Sequence, residues 1–199
     1  MKRYFGCLIL SLVAALVLAP SARGTVYNWT VSLNGAIEIP ANGSAGTGSG
    51  TVAYDSEAHS LALHVDFSGL NGNTTASHIH ASGAIAPFDL VNAAGVATTV
   101  PSFVGFPLGV QAGSFTDTLD LTLDGSWNPA FRTANGGTNA GAEAALFSLI
   151  LQRKAYWNIH SSTNTGGEIR GFLVPEPGSL MLLTLGALSS GLVALCRRR

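Results

Sequence analysis

The chain is predicted to be mainly β: a single antiparallel β-sandwich or barrel-like domain with one short helix. A signal peptide precedes it and a C-terminal transmembrane helix follows it. Three observations carry this prediction. Several short runs alternate apolar and polar residues with period two, as in Leu61-Ala-Leu-His-Val-Asp-Phe67 and Asp117-Thr-Leu-Asp-Leu-Thr-Leu123. Glycine- and asparagine-rich turns separate them, and only one interior window has helical character. The apolar residues that fit neither pattern gather at the two ends, each beside a basic cluster.

The ends are read first, because they distort the composition. Met1-Lys-Arg3 is followed by an uncharged apolar run, Phe5 to Ala19, and then by small residues, with Ala19-Pro-Ser21 and Ala22-Arg-Gly24 as cleavage positions. This order is that of a secretory signal peptide over residues 1–24, the alternative being an uncleaved anchor. At the other end Pro175-Glu-Pro177 precedes a 17-residue apolar run, Leu180 to Cys196, and the sequence finishes with Arg197, Arg198 and Arg199. A helix of that length spans about 26 Å, slightly less than a bilayer core of about 30 Å. The arginines would stay on the cytoplasmic side, leaving everything before Pro175 outside.

Between the ends lies one domain, residues 25–174, long enough to bury a sizeable core. It has no cysteine, since Cys7 and Cys196 both fall in the flanking segments; disulfides and thiolate metal sites are excluded there. Four Lys/Arg stand against ten Asp/Glu, a balance of about minus six that argues against nucleic acid or an anionic membrane surface as partner.

In chain order, Val26 to Leu33 reads as a first strand, ended by Asn34-Gly35, and Ala36 to Pro40 as a short extended piece. Asn42 to Gly50 is expected to be a flexible loop. Thr51 to Asp55 and Leu61 to Phe67 form a hairpin across Ser56 to Ser60, which leaves His59 in a solvated loop. Ser77-His-Ile-His-Ala81 is the next strand. Ala84 to Gly113 is apolar but irregular and broken by Pro87, Pro101 and Pro107, with Val96 to Val100 as a candidate strand. In Asp117 to Leu123 the leucines 119, 121 and 123 should point inward. Ala140 to Lys154 is the helix, capped by Asn139, with Glu143 in its first turn and Arg153-Lys154 at its negative end. Ala145, Leu146, Leu149, Ile150 and Leu151 supply its apolar side. Tyr156 to His160 and Gly167 to Gly171 form the closing hairpin, with Trp157, Ile159 and Ile169 in the core.

Chemistry concentrates in two of these strands. His78 and His80 lie two residues apart on one strand face, and Tyr156, Asn158 and His160 share a face of another. If those strands pair, His78, His80 and His160 converge, and three neutral imidazoles suit Cu, Zn or Ni. The bland account is that these histidines hydrogen-bond to carbonyls or polar loop residues. Glu168 and Arg170 are candidates to orient an imidazole or to pair with each other. No Gly-x-Ser-x-Gly elbow occurs, and Asp117, Asp120 and Asp124 fit a solvent face better than a carboxylate pair, so no catalytic residue is assigned.

Two resemblances follow from these residues. Pro175-Glu-Pro177, one apolar segment and Arg197–Arg199, in that order, resemble the PEP-CTERM sorting signal of bacterial surface proteins. That resemblance implies export through the Sec translocon, transient residence of residues 180–196 in the inner membrane, and processing by an exosortase that delivers the protein to the cell surface or the extracellular medium. Leu33 to Pro40, Thr47-Gly48, Leu70, Ala76-Ser-His-Ile-His80, Tyr156-Trp-Asn-Ile-His160 and Gly167-Glu-Ile-Arg-Gly171, in that order, resemble the CHRD (chordin-type) domain over about Val31 to Leu173. This implies an extracellular β-rich domain of unresolved biochemical role, known in animals from a secreted growth-factor antagonist. The expectation is a non-catalytic, cofactor-free structural, adhesive or binding component whose partners include matrix or polysaccharide. The alternative is a surface metalloprotein holding Cu or Zn at His78, His80 and His160.

Overall fold

The computed structural model describes residues 25–176. The expected signal peptide lies outside them, as does the tail from Pro177 onward, including the expected helix 180–196 and Arg197–Arg199. No helix among the described residues is long and apolar enough to cross a membrane.

Eight strands make one curled antiparallel sheet, a half-barrel. They are β1 (Val26–Asn34), β2 (Thr47–Asp55), β3 (Ser60–Ser68), β4 (Thr74–Ala81), β5 (Gly113–Asp120), β6 (Ala155–Ser161), β7 (Ile169–Phe172) and β8 (Val174–Pro175). The order across the sheet is β4-β6-β7-β1-β2-β3-β5, and β8 adds to β1 through Trp29↔Pro175 and Thr30↔Val174. The first strand therefore sits in the middle, joining the two halves through Asn34↔Arg170 on one side and the full length of β2 on the other.

Alternation sets what faces inward. Trp29, Val31 and Leu33 of β1, Leu61, Leu63, Val65 and Phe67 of β3, Ile79 of β4, and Trp157 and Ile159 of β6 form one buried cluster with Ile169 of β7. Helix α2 (Asn139–Leu151) closes this cluster with Ala142, Leu146, Leu149 and Ile150, and a shorter helix α1 (Pro129–Ala134) adds Phe131. Each fully buried aliphatic or aromatic side chain contributes about 1.5–3 kcal/mol. On the reverse face of β4-β6-β7, Tyr156 and Phe172 meet Ile85 and Ala94 of the long segment after β4 in a second, smaller cluster. Both faces of this half-sheet are thus covered. For that reason Tyr156, Asn158 and Arg170, which a one-sided sheet would expose, are buried.

Several expectations are corrected. Thr47 to Gly50 is strand, not flexible loop: a Cβ on Gly50 would meet the β3 backbone at Val65 Cα within 3.0 Å, so the glycine permits close strand approach. Gly35–Ile37 is a 3-10 turn rather than an extended piece, because the Asn34 carboxamide caps it at Ala36 and Ile37. Val96 to Val100 contributes only isolated bridges, His80↔Val96 and Thr98↔Trp127. Strand β5 begins at Gly113 and ends at Asp120, whose carboxylate takes Thr122; Leu119 and Leu121 are buried, whereas Leu123 is 57% exposed. Helix α2 is capped by Thr138, not Asn139, and stops at Leu151, which is exposed; Arg153 lies outside it at φ 61°. Glu143 falls beyond the first turn of a helix that starts at Asn139, and it is a buried acceptor for Tyr54 Oη at 2.7 Å and a partner of the half-exposed His59 at 3.0 Å.

Candidate metal centre

Strands β4 and β6 pair antiparallel with His78↔Asn158, His80↔Tyr156 and Ala76↔His160. Period two puts His78 and His80 on the reverse face of β4, and the register sets His160 on the same face of β6, diagonal to His78. Their ring centroids stand 5.0 Å (His78–His160), 5.5 Å (His78–His80) and 5.7 Å (His80–His160) apart.

Each ring spends one nitrogen on a backbone carbonyl. His78 Nε2 donates to Pro101 O at 2.6 Å, His80 Nδ1 to Ala94 O at 2.9 Å, and His160 Nδ1 to Thr165 O at 3.0 Å. A carbonyl oxygen only accepts, so these bonds fix the N–H of each neutral ring and leave the opposite nitrogen with a lone pair. The three lone-pair atoms are His78 Nδ1, His80 Nε2 and His160 Nε2. All are buried without a hydrogen-bond partner, and the cluster brings its ligand atoms within 4.8 Å of one another. Three buried acceptors with no donor are costly to leave unsatisfied, about 1–3 kcal/mol each.

The geometry has the dimensions of a coordination site. An ion about 2.0–2.1 Å from a ring nitrogen lies about 3.2 Å from the ring centroid, so three rings around it stand about 5.2–5.5 Å apart. The observed 5.0–5.7 Å brackets that value.

Protonation is disfavoured there. Burial holds His78 and His80 down at about 4 from an ordinary 6.5; the carbonyl bonds oppose the shift, and charge on His160 pushes the same way as burial for both. Burial also lowers His160. The rings are therefore neutral and ligand-competent near pH 7.

Beside the cluster, Tyr156 stacks on His80 with centroids 5.0 Å apart and planes 7° from parallel. The Arg170 guanidinium covers the far face of that arrangement, 4.6 Å from the Tyr156 centroid, and is tied to Ile37 O and Asp89 O. Tyr156 Oη accepts from Ala94 N, so one loop residue anchors both His80 and Tyr156. The loop is itself wound around the Asp89 carboxylate, which accepts from Ala86, Val91 and Asn92 amides and is held well below the usual carboxylate range by them. Glu38 and Asn158 lie on the β7 side of the cluster; Glu38 Oε1 and Asn158 Oδ1 are buried without partners.

Glu168 and Arg170 take neither of their expected roles. Glu168 accepts from Ser44 Oγ and the Asn71 and Gly72 amides, pinning the turn after β3 to β7, and Arg170 touches no imidazole by hydrogen bond. Asp117, Asp120 and Asp124 stay apart from the cluster; Asp124 pairs with Arg132. His64 pairs with Asp66 and Thr116 at the surface. The residues that sequence reasoning missed are Ala94, Pro101 and Thr165, which act through carbonyl oxygens and so leave no side-chain signature.

Comparison with known proteins bears on the whole chain. A CHRD domain model matches residues 29–173, and a PEP-CTERM protein-sorting motif matches residues 173–199. No curated protein and no solved structure matches. The first match runs from the buried Trp29 of β1 to the buried Leu173 after β7, taking in every strand that frames the three histidines. The second begins at Leu173 and takes in β8. The chain belongs to the CHRD domain family and carries a PEP-CTERM sorting motif at its C-terminus.

Proposed function

We propose that this exported CHRD domain is a non-catalytic metal-binding module that holds one copper or zinc ion on His78, His80 and His160. One observation carries the reading: three imidazoles each hold a buried, partnerless nitrogen, the ligand atoms of the cluster lie within 4.8 Å of one another, and each tautomer is fixed by a carbonyl on the opposite nitrogen. Histidines serving only as hydrogen-bonding core residues would use both nitrogens or expose one to water. Such outer bonds are what orient ligand imidazoles in metal sites. Burial of the ligand atoms supports binding rather than turnover, because no substrate reaches an ion enclosed on both sheet and loop sides.

The sorting motif supports export and processing at the membrane. The finer reading is that exosortase-type machinery acts near Pro175-Glu176-Pro177 after Sec-dependent translocation, with residues 180–196 held in the inner membrane until then, and that the processed domain resides at the cell surface or beyond it. Residues 86–110 favour a second, adhesive role in surface or matrix material, since Leu90, Val91, Val104 and Leu108 stand exposed on one segment.

The metal reading is tested on the purified full chain by titration with Zn(II) and copper after chelator treatment. One equivalent should bind with Kd below about 10 μM, where 1 μM corresponds to about −8 kcal/mol, and His78→Ala or His160→Ala should weaken it at least tenfold. Failure to bind, or binding unchanged in both variants, overturns it.

A further inference from the structure

The three-histidine reading leaves the ion itself undefined, and the surroundings of the cluster narrow it. Resting on that reading, we infer that the site selects monovalent copper over divalent ions.

The donor set comes first. The cluster consists of three imidazoles and includes no carboxylate and no thiolate. All three ligands are neutral, so the bound ion keeps its full charge. His78 and His80 are buried, and the ligand nitrogens of all three rings are inaccessible. Moving an ion out of water costs free energy that grows as the square of its charge, so a dication is penalised about fourfold more than a monocation of similar size.

A fixed cation adds to this bias. Arg170 is 1% exposed, lies over Tyr156, and through that ring stacks behind His80. Its fixed charge opposes a dication on the cluster twice as strongly as a monocation. The Glu38 carboxylate interacts with Arg170 and Asn158.

Coordination number points the same way. Zn(II) in structural sites takes four ligands, and Cu(II) prefers tetragonal surroundings with added donors. A fourth donor at this cluster would have to be water, and the ligand nitrogens are closed to it. Asn158 Oδ1, a partnerless oxygen on the same face, lies with Glu38 Oε1 beneath Gly167. An ion satisfied by three nitrogens in a trigonal arrangement meets these constraints, and monovalent copper is such an ion.

The test uses the full chain and three probes: Cu(I) under anaerobic conditions in competition with a bicinchoninate-type chelator, Cu(II), and Zn(II). The expected result is one Cu(I) bound at least 100-fold more tightly than either divalent ion, with an X-ray absorption edge and scattering shell showing three nitrogen neighbours and no fourth. His160 is the least buried of the three ligands, so His160→Ala should keep the wild-type far-UV spectrum while Cu(I) affinity falls at least 30-fold. Replacing Arg170 by methionine should narrow the Cu(I)-over-Zn(II) ratio at least fivefold in a chain that still unfolds cooperatively. If Zn(II) or Cu(II) binds through the same histidines as tightly as Cu(I), the selectivity is overturned and the three-histidine site stands. If none of the three ions binds, the site itself fails.

Discussion

Replacing Glu38 with glutamine should make the metal-free protein markedly less sensitive to alkaline pH. Glu38 follows the 3-10 turn at Gly35–Ile37 and is 5% exposed. Burial raises its pKa from 4.5 to about 7, against the opposing pull of the Arg170 charge and bonds from Ile39 and Asn158. A carboxyl whose folded pKa exceeds its unfolded one binds its proton better in the native state. Its contribution to stability is full below pH 4.5 and is lost as pH rises through 7. The difference of about 2.5 pH units corresponds to about 3 kcal/mol of stability lost between pH 4.5 and 8. Glutamine keeps the shape, cannot ionise, and offers an N–H to Asn158 Oδ1, which lies beside Glu38 Oε1 beneath Gly167 and lacks a donor. Urea unfolding with chelator present, at pH 5 and at pH 8, measures the effect. Glu38→Gln should be near neutral at pH 5 and more stable than the wild type by about 3 kcal/mol at pH 8. Parallel pH profiles for the two proteins would refute the claim that this carboxyl is buried against its ionised form.

Other outcomes follow from the same structure. Because His78 and His80 take up protons only near pH 4, ion binding should be nearly constant from pH 8 to 5 and weaken steeply below, as measured by chelator competition across that range. The metal-free protein should lose stability as pH falls from 6.5 toward 4, since the unfolded histidines protonate first; a flat profile in Glu38→Gln over that interval would contradict it. Gly167 sits at φ 138°, and a Cβ there would meet Asn158 and Glu38 side chains at 2.6–2.8 Å, so Gly167→Ala should cost about 2 kcal/mol or more by urea unfolding. Leu121→Ala should cost about 2–5 kcal/mol while Leu123→Ala stays within about 0.5 kcal/mol, which checks where β5 ends.

The parts of the fold legible in the sequence were those where one face is wet. In β3, Leu61 to Phe67 alternate against His64 and Asp66, and both ends of that strand were placed to within one residue. Where both faces are covered, period two loses its contrast: Tyr156, Trp157, Asn158 and Ile159 are all buried, and only Trp157 and Ile159 announce themselves. The convergence of His78, His80 and His160 was readable because it depends on two strand registers alone. What holds the rings depends on backbone oxygens from Ala94, Pro101 and Thr165, which any residue type supplies. The boundary at Leu123 was misjudged for a related reason. Alternation continues past Asp120, but the Asp120 carboxylate turns the chain by capturing Thr122, and a local hydrogen bond outweighs the pattern.

The position of β1 has a consequence for the order of events in the cell. It is the first of the described strands in the chain, yet one of its two flanks is filled by β7 and β8, the last two, and β8 already lies within the sorting motif. Strands β1, β2 and β3 can pair as a meander as soon as they appear, whereas β4 and β6, which carry the histidines, join that meander only through β7, at Asn34↔Arg170. A chain made from its N-terminus thus pairs β4 with β6, and brings the three imidazoles together, before β7 and β8 join the two halves of the sheet. An exported chain therefore closes its sheet with residues that also belong to its sorting motif.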